Sequence, residues 1–132
     1  MRSKILRYLL LPLLLMPSFL TTGSAVFAHH GNSAYDENNP VVLNGIVTEY
    51  VFANPHAQIY FDVKGQKGNV DHWACETLGP TILSMLGWTR KTLKPGDEIT
   101  VTLDPAKSHN LVGYLRKIVL ADGTILPLRT IQ

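Results

Sequence analysis

Two stretches in which side chains change face at every residue, joined by a glycine- and lysine-rich loop, constrain this chain more than any other feature. From His56 to Val63, Ala57, Ile59, Phe61 and Val63 fall on one face and His56, Gln58, Tyr60 and Asp62 on the other. A period of two is that of a strand half-buried against a core. Lys64-Gly65-Gln66-Lys67-Gly68 reads as a hairpin loop, and Asn69 to Glu76 alternates again, with Trp73 and Cys75 against His72 and Ala74. Pairing Phe61 with Trp73 sets Ile59 opposite Cys75 and Asp62 opposite His72. A slip of one residue would oppose Asp62 with Asp71, and like charges directly opposite repel, so the first register is expected.

The flanking segments extend the same architecture. Val41 to Phe52 is rich in β-branched and aromatic residues, with Gly45 marking a bend or bulge, and Ala53-Asn54-Pro55 ends that first strand. From Thr77 to Trp88 the period changes. Pro80 suits a first helical turn, Ile82, Leu83, Met85 and Leu86 supply an apolar stripe, and Gly87 suits the C-terminal cap. Lys94-Pro95-Gly96-Asp97 is a turn, Glu98 to Leu103 alternates as a fourth strand, and Leu111 to Leu120 forms a fifth with a bend at Gly113. Asp122-Gly123 turns the chain into a short extended segment, Thr124 to Leu128. Three strands, a helix and two strands predict a mainly β chain, the five-stranded Greek-key barrel of the oligonucleotide/oligosaccharide-binding (OB) fold.

The first 28 residues read differently. Arg2, Lys4 and Arg7 precede an apolar run broken by Pro12 and Pro17, and small residues lead to Ala28. This is the pattern of a cleavable secretory signal peptide, too short and interrupted for a comfortable membrane span. Cleavage after Ala28 is expected, with cleavage after Ala25 as the competitor. The expected organisation is a signal peptide over 1–28, an irregular arm over 29–40 and a barrel over 41–132, in a periplasmic protein with no stable membrane insertion after cleavage. Losing the leader leaves nine Lys and Arg against ten Asp and Glu, a net charge of −1. A near-neutral domain has no electrostatic reason to seek nucleic acid, whose binding depends on phosphate neutralisation. The lone Cys75 cannot close an internal disulfide, and it falls on the expected core face.

Chemistry-bearing residues are few. Cleavage after Ala28 would make His29 the N-terminal residue, so that its amine and Nδ1 could chelate one metal together, with His30 as a spare ligand. His56, opening strand two, is the third candidate. The set His29, His30 and His56 points to a transition metal, and the nitrogen donors and the Irving–Williams order make copper(II) the expected ion. Against this stand plainer readings: a flexible polar arm, and a turn histidine bonded to backbone. His109 lies in the loop between strands four and five and reads as a solvated loop residue. His72 is explained by its pair with Asp62. Glu76 reads as a rim carboxylate, which could also orient a metal-bound histidine. There is no Cys-x-x-Cys, His-Glu-x-x-His, phosphate-cradling glycine loop or Gly-x-Ser-x-Gly. The expectation is a non-catalytic binding protein, the alternative being a metal-free module that holds a protein or small ligand.

Several short motifs occur together: His29-His30, Ala34-Tyr35-Asp36, Gly45 to Tyr50, Asn54-Pro55-His56, Trp73 and Glu76, Gly87-Trp88, Leu93 to Asp97, Asp104 to Lys107 and Leu120 to Gly123. As a set they resemble a family of small exported bacterial proteins known only as a domain of unknown function. The resemblance implies an exported single-domain β protein and brings no activity with it. The arm Gly31-Asn32-Ser33-Ala34 departs from the Ser-Phe-Ala-Ala more usual in similar proteins, and His109 lies outside the shared pattern.

Overall fold

A computed structural model describes residues 34–65 and 67–128; the leader and the His29-His30 pair lie outside the described residues. In chain order the elements are β1 (Val41–Val51), β2 (Gln58–Lys64), β3 (Val70–Glu76), α1 (Pro80–Met85), β4 (Glu98–Pro105) and β5 (Val112–Leu120). The strands close into one barrel in the order β1-β2-β3-β5-β4, with β3 and β5 parallel and the other pairs antiparallel. That strand order, with a helix between β3 and β4, is the OB architecture.

The β2–β3 register is the expected one: Phe61 faces Trp73, Ile59 faces Cys75 and Asp62 faces His72. Its cause is the core, since Ala57, Ile59, Phe61 and Cys75 are fully buried and a slip of one residue would turn them outward. Val47, Ile99, Val101, Leu103, Leu115 and Ile118 complete the interior from β1, β4 and β5. Burying each large apolar side chain of this kind contributes about 1.5–3 kcal/mol.

The two strand glycines work by close approach rather than by breaking register. A Cβ on Gly113 would come within 2.8 Å of the Asp104 carbonyl oxygen, and one on Gly45 within 2.7 Å of the Phe61 ring. The register shifts fall three residues further on. Thr48 is the extra residue of β1 opposite β2, and Arg116 that of β5 opposite β4. Each bulge puts two successive side chains outward, Thr48 with Glu49 and Arg116 with Lys117, and increases the local twist that a small barrel needs.

The helix is shorter than the expected span. Pro80 occupies its first turn, and the C-terminus closes by a Schellman pair: Gly87 N–H donates to Ser84 O at 3.0 Å and Trp88 N–H to Leu83 O at 2.9 Å. Of the expected apolar stripe, Leu83 is buried and Leu86 half-buried, while Ile82 and Met85 point to solvent, Met85 being 82% exposed. Six residues offer the core little more than one contact face, which Leu83 fills. Trp88 then enters the core, and its Nε1–H donates to Pro127 O at 2.7 Å, tying the last extended segment across the barrel.

Candidate functional site: the His56–Glu76–Tyr35 rim

Glu76 ends β3 and lies between two strands, opposite Gln58 of β2 and Tyr114 of β5. Beyond Gln58 the pairing continues through backbone alone, with Ala57 N–H donating to Leu78 O at 3.1 Å and Thr77 N–H to Ala57 O at 3.0 Å. The β1–β2 loop is thereby held against the end of β3. Gly79 lets this happen, because a Cβ there would come within 2.7 Å of the Pro55 carbonyl oxygen. His56 is in that loop, directly before the paired Ala57, and its Nδ1 is hydrogen-bonded to Glu76 Oε1.

The other oxygen of the same carboxylate is also engaged. Tyr35 donates its hydroxyl to Glu76 Oε2 at 2.9 Å. Tyr35 belongs to the arm, and the described part of the arm, though it forms no helix or strand, is docked on the barrel. Asp36 N–H donates to Pro105 O at 2.8 Å, Lys107 N–H donates to Ala34 O at 3.0 Å, and Tyr35 forms a β-bridge with Ala106. Its ring lies 5.9 Å from that of Tyr114. Arg116, raised by the bulge of β5, donates from Nη2 to Glu37 O at 2.7 Å, and its Nε forms an ion pair with the buried Asp104 carboxylate at 2.6 Å. A strand irregularity therefore supplies one of the clamps on the arm.

Electrostatics at the rim follow from partial burial beside one carboxylate. The Tyr35 hydroxyl is pushed up to about 12, first by desolvation and then by its bond to Glu76 and that group's charge. Tyr114 is raised as well, first by desolvation and then by Glu76 and Cys75. Burial drives the Cys75 thiol far above its ordinary value, so it stays protonated and inert, with its S–H directed to the Glu76 carbonyl at 3.8 Å. An ionised carboxylate only accepts hydrogen bonds, so the ring nitrogen facing Glu76 must carry a proton. In neutral His56 the lone pair is then on Nε2, and the side chain is 47% exposed.

Of the predicted metal ligands, His56 lies at this rim, and His29 and His30 lie outside the described residues. Among the described residues, no group of three or more His, Cys, Asp or Glu side chains could hold a metal ion. His109 is exposed in the β4–β5 loop with a φ of 62° and joins no such group. His72 pairs with Asp62 as expected, Nδ1 to Oδ1 at 2.6 Å. A separate concavity of about 650 Å³ is lined by residues that include Val42, Asn44, Ile46, Lys64, Glu98 and Thr100, with no histidine among them. Sequence reasoning did not find Tyr35, whose partner is 41 positions away. Its only signal was its place in the Ala34-Tyr35-Asp36 motif.

The chain belongs to a family of unknown function, DUF6152, whose model matches residues 18–115. None of the curated proteins matches it. Among solved structures it is similar to the mitochondrial single-stranded DNA binding protein Rim1 of S. cerevisiae, at 15% identity over 62% of this chain and 92% of that chain, with a TM-score of 0.43. The fold assignment rests on the strand order, not on that likeness. No helix among the described residues is long and apolar enough to cross a membrane.

Proposed function

We propose that this chain is an exported, periplasmic, non-catalytic binding protein in which His56 offers Nε2 to a transition metal. The observation that carries the proposal is the bond from His56 Nδ1 to Glu76. Metal-binding histidines almost always give their other ring N–H to a carboxylate, a backbone carbonyl or water, which fixes the tautomer and makes the ligating nitrogen more basic. Copper(II) is the ion that best suits an all-nitrogen set. The N-terminal amine and Nδ1 of His29, exposed by cleavage after Ala28, would join His56 Nε2, with His30 as the alternative ligand. Five residue steps separate His29 from the docked Ala34, an extended reach of about 17 Å.

The test begins with protein exported by a bacterial host. Its intact mass fixes the mature start, and the same sample is titrated with copper(II) under electron paramagnetic resonance. A start at His29 with a nitrogen-rich signal saturating at one equivalent is the expected result. A different start, or only loosely held copper, overturns it.

A second reading is favoured by one observation, the exposure of Asn54, Pro55 and His56 together in the β1–β2 loop. In that reading the exposed Asn54-Pro55-His56 loop holds a protein or small-molecule partner without metal. Capture of a periplasmic partner by the wild type and not by His56→Ala, in the presence of a chelator, would select it.

A further inference from the structure

We infer that Tyr35 is a positioning residue that acts on His56 through Glu76, so that docking of the arm determines which nitrogen of His56 is left unprotonated. This deepens the metal-binding reading, yet it stands on geometry that is independent of any metal. Glu76 has two carboxylate oxygens and both are used, Oε1 by the histidine of the β1–β2 loop and Oε2 by the tyrosine of the arm. Holding one oxygen restricts rotation of the whole carboxylate and aims the other at the imidazole.

The arm is held independently at its backbone, through Pro105, Ala34 and Glu37, so the Tyr35 hydroxyl is delivered to Glu76 by groups that do not touch the histidine. Burial keeps that hydroxyl protonated at any physiological pH, which makes it a permanent donor to the carboxylate. An undocked arm would leave Glu76 free to turn toward water. His56 would then divide between its two neutral tautomers.

The experiment reads the tautomer directly, by the nitrogen-15 shifts of His56 in metal-free protein at about pH 8.5, where an imidazole is ordinarily neutral. In the wild type the Nδ1–H form is expected to dominate. In Tyr35→Phe, which keeps the ring against Tyr114 and every backbone clamp, the ratio is expected to shift toward Nε2–H. Glu76→Gln gives the larger change, roughly tenfold or more, because an amide presents either an acceptor or a donor to the ring.

Unshifted His72 resonances in both variants certify that the barrel is folded. An unchanged His56 tautomer in Tyr35→Phe overturns the inference even if Glu76→Gln shifts it, because the arm would then have no part in it. Copper titration of the same samples separates the two claims. A shifted tautomer in a protein that binds no copper preserves the positioning role and removes the metal reading.

Discussion

Two histidine–carboxylate pairs, one on the β2–β3 ladder and one at its rim, have the same chemistry and different surroundings. His72 and Asp62 meet in the middle of the ladder, on its outer face, with the histidine side chain 79% exposed. His56 and Glu76 meet at the rim, where the histidine is 47% exposed and the carboxylate is shared with Tyr35. The first pair joins the two strands of one hairpin. The second joins the β1–β2 loop, the end of β3 and the N-terminal arm. A histidine–carboxylate pair is therefore no sign of a site by itself; what marks the rim is the third group that fixes the carboxylate.

The contrast can be broken or sharpened by substitution. The largest effect is expected between the two pairs, where Phe61 points inward and is fully buried. Phe61→Ala should lower unfolding stability by about 3–5 kcal/mol in denaturant melts, which shows that both pairs ride on one core. Next come the metal readouts. Glu76→Gln should weaken copper binding roughly 10–100-fold by competition titration, whereas Asp62→Asn should leave it unchanged. Equal losses in the two variants would erase the distinction.

Smaller effects concern stability alone. Glu76→Leu removes the acceptor of two hydrogen bonds and should cost about 1–2 kcal/mol, while Asp62→Leu, at an exposed pair, should change stability by no more than about 0.5 kcal/mol. A further effect is confined to alkaline pH. Desolvation raises Tyr35 and Tyr50 from 10.0 to about 12, so the folded state keeps protons that the unfolded chain releases. Their stabilising contribution is whole below pH 10 and fades as pH rises toward 12. Tyr35→Phe should flatten part of that decline in melts followed across the range, with tyrosinate absorbance marking the ionisation.

Much of this scaffold was legible in the residues. Alternation defined β2 and β3, and the repulsion of Asp62 by Asp71 selected the observed register. Pro80 and Gly87 marked the helix ends, but a helical period over Thr77 to Trp88 overstated its length, since Ile82 and Met85 face solvent. The bulges at Thr48 and Arg116 were illegible, because the glycines that seemed to announce them serve a close approach three residues earlier. At the site, His56 was visible from its turn. Its bond to Glu76 spans 20 positions and that of Tyr35 spans 41, and no local pattern encodes contacts that exist only after the barrel closes. The His72–Asp62 pair, separated by one hairpin, was readable for the opposite reason.

The most direct test of the account is the nitrogen hyperfine structure of one equivalent of copper(II) on the exported protein, compared between wild type, His56→Ala and His72→Ala. A nitrogen-rich signal is expected that His72→Ala leaves intact and His56→Ala degrades by one nitrogen donor. Identical spectra from all three proteins would contradict it.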